Sequence, residues 1–349
     1  GGRLDRAVAA ADRSLRVRAA VTRAAQAVLS AAPLLLAGCS GPQSALETHG
    51  PDAGRIAEIG WVLFAGAALI FLVVMALAAH AALGGRRRPG WLAGRGLVIG
   101  GGLVFPIVTL SALLIYTFGV AGTLTAPPQE PPLRIAVTGR MWWWDVRYPD
   151  GPGGAAVRTA NEIRVPVGRP VEVIVTTADV IHSFWVPSLA GKIDMIPNRV
   201  NRLRLQADRP GVFRGQCAEY CGAQHAAMAF HVVAEPPEAF AAWLRGQAAP
   251  AREPDRAELV HGRRLFLDSG CGACHAVRGT PADGQFGPDL THVGGRLTIA
   301  AGILPNNAGT LAGWIADSQH LKPSNRMPSF NSFAGEELRA IAAYLASLR

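Results

Sequence analysis

Residues 217–228 read Cys217-Ala-Glu-Tyr-Cys221-Gly-Ala-Gln-His225-Ala-Ala-Met228. Two thiolates, an imidazole and a thioether within twelve residues are a soft ligand set suited to copper. Upstream, Asp179-Val-Ile-His182-Ser-Phe-Trp-Val-Pro187 puts a second histidine just after a strand pattern. A mononuclear blue-copper site uses one Cys, two His and a weak axial ligand. Two cysteines with two histidines and a methionine point instead to two coppers bridged by both sulfurs. Zinc also takes Cys/His sets, but methionine is not among its usual ligands. The surrounding chain alternates with period two at Leu133-Arg-Ile-Ala-Val137, Val171-Glu-Val-Ile-Val175 and Val200-Asn-Arg-Leu-Arg-Leu205. Short alternating segments between Gly and Pro turns predict an antiparallel sandwich or barrel.

Toward the N-terminus the chain becomes apolar, beyond a Pro-rich linker at Thr123–Pro132. Ile59–Leu83 and Leu97–Val120 contain only His80 as a chargeable residue. At 1.5 Å per residue each reaches about 36 Å, enough to cross roughly 30 Å of hydrocarbon with some tilt. Pro106 in the second run predicts a kink. The loop 84–95 holds four arginines and no acid, which places it in the cytoplasm. Everything after Val120 is then outside. Residues 1–38 carry six arginines against two aspartates before an apolar run, the layout of a secretory signal. That run ends Leu36-Ala37-Gly38-Cys39, similar to the lipobox of bacterial lipoproteins, which implies lipidation of Cys39. The division is thus signal 1–38, then 39–122 with two transmembrane helices at about 59–83 and 97–120, then 133–245 and 255–349.

Toward the C-terminus, Gly246–Asp255 reads as a loose polar linker, followed by helical patterns at Asp255–Leu267 and Gly335–Leu348. Between them, Cys271-Gly-Ala-Cys274-His275 is C-x-x-C-H, the attachment motif of c-type haem. Two thioether bonds fix the porphyrin and the adjacent histidine lies under the iron. A thioredoxin-like role for C-x-x-C lacks its βαβ pattern.

The net charge of +9 raises nucleic acid as a partner, and its distribution removes it. Residues 121–254 are at +2 and 255–349 at +1; the excess sits in the N-terminal segment and the arginine loop. With 50% hydrophobic and 17% charged residues the chain is not disordered. Of five cysteines, two close pairs each have a histidine behind them, which reads as chemistry, not as loop-closing disulfides.

The stretches GRMWWWDVRYPD (139–150), DVIHSFWVPSLAGKIDMIPNRVN (179–201) and CAEYCGAQHAAM (217–228) resemble subunit II of the haem–copper cytochrome c oxidases. With the helix hairpin the resemblance covers roughly 55–235. It implies an all-β cupredoxin sandwich over 133–245 with a dinuclear CuA centre. The implied ligands are His182, Cys217, Cys221, His225, Met228 and the Glu219 carbonyl, with the Glu219 carboxylate at a Mg/Mn site shared with subunit I. Trp142 is the implied aromatic through which electrons enter, and His231 is expected to be structural. Residues 255–349, with Gly287-Pro288-Asp289-Leu290 and Asn325-Arg326-Met327-Pro328, resemble an all-α class I cytochrome c domain. Covalent haem at Cys271 and Cys274 with axial His275 and Met327 follows; His292, His261 and His320 are the other candidates for the second axial position. A Met/His pair raises the potential.

The resemblance implies an electron-transfer subunit of a proton-translocating terminal oxidase, passing electrons from haem c through CuA to the haem–copper site of subunit I. Its implied partners are subunit I, subunit III, membrane lipid and an upstream donor, a cytochrome bc complex or soluble cytochrome c. The implied location is the bacterial plasma membrane, with the soluble domains on the periplasmic side. Two rivals are the CuA subunit of another terminal reductase, such as a nitric-oxide reductase, and a copper-binding lipoprotein without a catalytic partner.

Overall fold

A computed structural model describes residues 40–83, 94–127 and 130–349, together with Thr22, Arg23 and Gln26. Cys39, the rest of the signal-like segment and residues 84–93 of the arginine loop lie outside the described residues. Two apolar helices come first, α1 (Pro51–Leu83) and α2 (Arg95–Thr125), each starting before its apolar run. Neither buries its apolar window within the protein, so Leu, Val and Phe side chains face outward all round. Hydrocarbon accepts that surface and water does not. Before Pro106, α2 contains a π turn, Gly100–Val104, closed by the Phe105 N–H on the Gly100 carbonyl. Because α2 runs on to Thr125, the Pro-rich linker is shorter than its sequence pattern.

Arg204 ties these helices to the domain above them. Its guanidinium pairs with Asp52 in the first turn of α1 at 3.1 and 3.2 Å. It also donates to the carbonyls of Thr123, Leu124 and Ala126 at the end of α2. One side chain thus satisfies acceptors that a helix C-terminus leaves open.

Ten strands follow: β1 (Leu133–Arg140), β2 (Trp143–Tyr148), β3 (Val157–Ala160), β4 (Glu162–Pro166), β5 (Val171–Thr177), β6 (His182–Trp185), β7 (Lys192–Met195), β8 (Asn201–Leu205), β9 (Gly211–Cys217) and β10 (Ala229–Glu235). They form two five-stranded sheets, β3-β2-β1-β5-β8 and β4-β10-β9-β6-β7. The period-two segments of the sequence become β1, β5 and β8. The sandwich is mixed, not wholly antiparallel: β1 pairs with β5, and β4 with β10, in parallel. Each pair joins strands distant in the chain, so no hairpin dictates their direction. Between the sheets lie the fully buried Trp144, Phe184 and Phe230, the last two stacked at 4.7 Å. The fold is a helical hairpin, a cupredoxin-like sandwich and a helical C-terminal domain.

The segment expected to be a loose linker is largely fixed. Helix α3 (Pro237–Ala248) takes up its first residues. Arg278 then donates to the Gln247 carbonyl, His292 Nε2 bonds the Ala249 carbonyl at 3.0 Å, and the Ala251 N–H donates to Arg278. Four helices, α4 (Ala257–Asp268), α5 (Ala308–Ala316), α6 (Ser318–Leu321) and α7 (Gly335–Ser347), and a small ribbon of β11 (Thr298–Ile299) and β12 (Leu304–Pro305) build the last domain. The apolar face of α7 buries Ile341 and Leu345, Leu348 is buried just past its end, and Tyr344 meets Phe266 of α4.

Candidate functional site

His182 opens β6 and Cys217 closes β9, adjacent strands in which Phe184 lies opposite Cys217. The loop after β9 folds back and delivers Cys221, His225 and Met228 to the same place. The two Sγ atoms are 3.7 Å apart, too far for a disulfide, whose S–S bond is about 2.05 Å. His182 Nδ1 lies 3.8 Å and the Glu219 carbonyl oxygen 3.2 Å from Cys217 Sγ. His225 Nδ1 lies 3.7 Å and Met228 Sδ 3.9 Å from Cys221 Sγ. Donors bound to one ion at about 2.0 and 2.3 Å in tetrahedral geometry are about 3.5 Å apart. The observed separations are close to that value, and His182, Cys217 and Cys221, all buried, could hold a metal ion.

Electrostatics prepare the sulfurs. The hydrogen bond from Cys221 pulls the Cys217 pKa down against burial, with His182 and backbone groups helping. The same contact, with burial, pushes Cys221 up. Burial would lower His182, yet hydrogen bonds with Asp179 and Cys217 outweigh it and raise its pKa. Two features went unread in the sequence. Asp179 Oδ1 holds His182 Nε2 at 2.8 Å, turning Nδ1 toward the sulfurs, while its Oδ2 accepts the Met141 N–H at 2.8 Å. Gly139 lies against the His182 ring, where a Cβ would come 2.7 Å from Cδ2. Asp179 was within reach of sequence reasoning, standing three residues before the histidine; Gly139 carried no signal.

Trp142 is buried beside this cluster, and its Nε1–H donates to the Cys221 carbonyl at 2.9 Å. The Glu219 carboxylate turns away, accepting the Tyr220 N–H at 3.3 Å. His231 lies outside the cluster, 3.4 Å from Thr298 Oγ1.

In the C-terminal domain, Cys271–Ala273 forms a single turn after α4, with Cys271 half-buried and Cys274 exposed. His275 Nδ1 donates to the Pro288 carbonyl at 2.8 Å, which leaves Nε2 as the ligand atom. Burial lowers the His275 pKa, so the ring stays neutral. Gly287 must lack a side chain, because a Cβ there would come 2.5 Å from His275 Cε1. Met327 is held at its N–H by Asn325 Oδ1 (2.7 Å) and at its carbonyl by Ser318 Oγ and Gln319 Nε2 (both 2.7 Å). With Phe330, Phe333 and Leu290 it packs, partly buried, against the apolar core of the domain. Half-buried Arg296 keeps a buried Nε–H with no protein acceptor, for which the carboxylates of a porphyrin have the right charge. The residues fit a haem. Of the other candidate axial histidines, His292 bonds the Ala249 carbonyl through Nε2 and keeps a buried Nδ1 without a protein partner, and His261 faces Arg264 at 3.1 Å.

Comparison with known proteins gives two family matches. The "Cytochrome C oxidase subunit II, periplasmic domain" family matches residues 153–235, and the "Cytochrome c" family matches 259–349. "Cytochrome c oxidase subunit 2" of Alkalihalophilus pseudofirmus is 36% identical over 336 residues, covering 92% of this chain and 96% of that protein. The protein of the same name from Bacillus subtilis is 30% identical over 353 residues, with the same two coverages. Among solved structures, the periplasmic domain of subunit II of cytochrome oxidase of Bradyrhizobium japonicum is 36% identical, covers 34% of this chain and 95% of that chain, and has a TM-score of 0.32.

Proposed function

Since the chain belongs to the cytochrome c oxidase subunit 2 family and so serves a haem–copper oxidase complex in electron transfer, we propose that it carries electrons from its own haem c to a dinuclear CuA centre and on to subunit I. His182, Cys217, Cys221, His225, Met228 and the Glu219 carbonyl would hold two coppers. Cys271 and Cys274 would bind the haem covalently, with His275 and Met327 axial. When bound, these groups supply reversible one-electron chemistry, and the protein supplies their placement. Asp179 fixes the ring of His182, and the Pro288 carbonyl fixes that of His275. Trp142 would be the aromatic through which electrons enter the copper cluster, a role its bond to the Cys221 carbonyl supports. The sandwich keeps the sulfurs from water, so charge changes there with little solvent rearrangement.

The periplasmic orientation of both domains, lipidation of Cys39 after removal of 1–38, a Mg/Mn ion at the Glu219 carboxylate, association with subunit III and proton translocation by the complex belong to the same reading. The observation that carries it is the pair of unbonded sulfurs 3.7 Å apart, each with an imidazole and a weaker donor within 3.9 Å. One tetrahedral ion cannot use six donors. Metal analysis of the purified complex should find two coppers in this subunit, with an EPR signal split by both nuclei. Cys217→Ser should remove that signal. A one-copper blue site in the wild type would end the reading.

A further inference from the structure

The C-terminal domain is seated on the copper-ligand end of the sandwich, and one buried cation joins the two. Lys322, at the end of α6, is 2% exposed. Its Nζ lies 2.8 Å from the Trp142 carbonyl, 2.8 Å from the Ala227 carbonyl and 3.2 Å from the Ala300 carbonyl. The first two belong to the sandwich, one on the tryptophan bonded to Cys221 and the other one residue before Met228. An ammonium has three N–H donors and no acceptor, so three carbonyls use it completely. Burial lowers its pKa, and the three carbonyl acceptors oppose this by favouring the charged form. No carboxylate pairs with Nζ among the described residues.

We propose that Lys322 is a positioning residue for electron transfer, holding the haem domain on the copper-ligand loop in one fixed pose. Two further observations support it. The backbone around the contact is rigidly set: Asn325 Nδ2 donates to the carbonyls of Ser318 and Lys322 while its Oδ1 accepts the Met327 N–H. The lysine and the methionine are therefore two ends of one hydrogen-bonded loop. In the same domain, Ala300 and Ala301 have φ of 54° and 61°. Left-handed alanines persist only where surroundings over-determine them. Here the Ala300 carbonyl meets Lys322 and the Ala301 carbonyl accepts the Ala229 N–H at 2.9 Å. The proposal rests on the copper and haem assignments above. The step it serves transfers one electron, oxidising ferrous haem iron and reducing the copper pair, with no bond or proton changed.

The test compares wild type with Lys322→Met in the assembled oxidase. Hydrogen exchange followed by mass spectrometry reads docking, and flash reduction of the haem, followed at the copper band, reads transfer. Losing a charge-assisted hydrogen bond should raise exchange in 222–228 at least about tenfold and slow transfer by a similar factor. Copper and haem spectra should stay as in wild type, which a general loss of structure would not allow. Lys322→Arg, with charge and donors kept, should recover part of both losses. If Lys322→Met does not load its cofactors, Lys322→Gln is judged by the same two measurements. Unchanged exchange and rate in a variant with both spectra intact overturn the proposal. A wild type without the two-copper signal instead overturns the site assignment, and the exchange comparison still judges the docking.

Discussion

The substitution Gly139→Ala tests the copper-site geometry without touching a ligand. The new methyl would come 2.7 Å from His182 Cδ2 and 3.0 Å from its Cγ. Ordinary carbon contact begins near 3.4 Å, so the ring must move by about 0.7 Å, roughly a third of a metal–nitrogen bond. The ring has no open side to yield into. It is fully buried, its Nε2 is held by Asp179 at 2.8 Å, and Trp144 lies beside it. Overpacking of this kind costs about 1–3 kcal/mol, and here the displaced atom is a ligand. We expect a lower unfolding temperature, weaker copper retention under chelator, and an EPR spectrum in which the two nuclei no longer share the electron equally. Gly246→Ala is the control, since it sits late in α3 with nothing within 4 Å and should be neutral or stabilising by up to about 1 kcal/mol. A Gly139→Ala protein with wild-type copper retention and spectrum would refute the claim that the His182 ring is fixed by packing.

Two other expectations concern parts outside the copper cluster. Met327→Ala should keep its haem, held by Cys271 and Cys274, but lose the ferric Met–iron charge-transfer band and show a lower potential; an unchanged optical spectrum would assign the axial position to another residue. Arg204→Ala should strand buried Asp52 and three carbonyls at the end of α2, destabilising the junction of head and helices by roughly 2–4 kcal/mol. Thermal unfolding in detergent, with protease susceptibility around residue 126, measures this, and wild-type behaviour in both would count against Arg204 as the junction.

Much of this architecture was readable because it follows from local periodicity. Period-two alternation gave β1, β5 and β8, long apolar runs gave α1 and α2, and the helical face of Ile341 and Leu345 gave α7. The clustering of the candidate ligands was readable because soft donors fall within one loop, apart from His182, which arrives from another strand. The parallel pairings of β1 with β5 and β4 with β10 were hidden, since strand partnership across long connections leaves no local trace. The π turn itself was hidden; only Pro106 near it was legible. Gly139 and Gly287 were hidden for a different reason. Each is a glycine because a histidine ring occupies the space of its missing side chain, a fact that exists only in three dimensions.

The contact between the two electron-carrying domains was the least legible feature, and its chemistry explains why. Free electron-transfer partners are expected to advertise themselves by opposed charge patches. Here the two domains are at +2 and +1, so net charge offers no attraction. The interface instead uses backbone carbonyls of Trp142, Ala227 and Ala301, the N–H groups of Ala229 and Leu297, and the carboxylate of Glu162, which accepts Leu297 N–H at 2.8 Å. Every residue carries a carbonyl, so composition cannot mark the ones that matter. A covalent tether raises the effective concentration of one domain near the other to about the millimolar range, so a modest interface suffices to keep them docked. With encounter guaranteed by the chain, orientation is what the contact must supply. A single buried ammonium with three fixed acceptors supplies orientation more than affinity, because its desolvation opposes most of what its hydrogen bonds contribute.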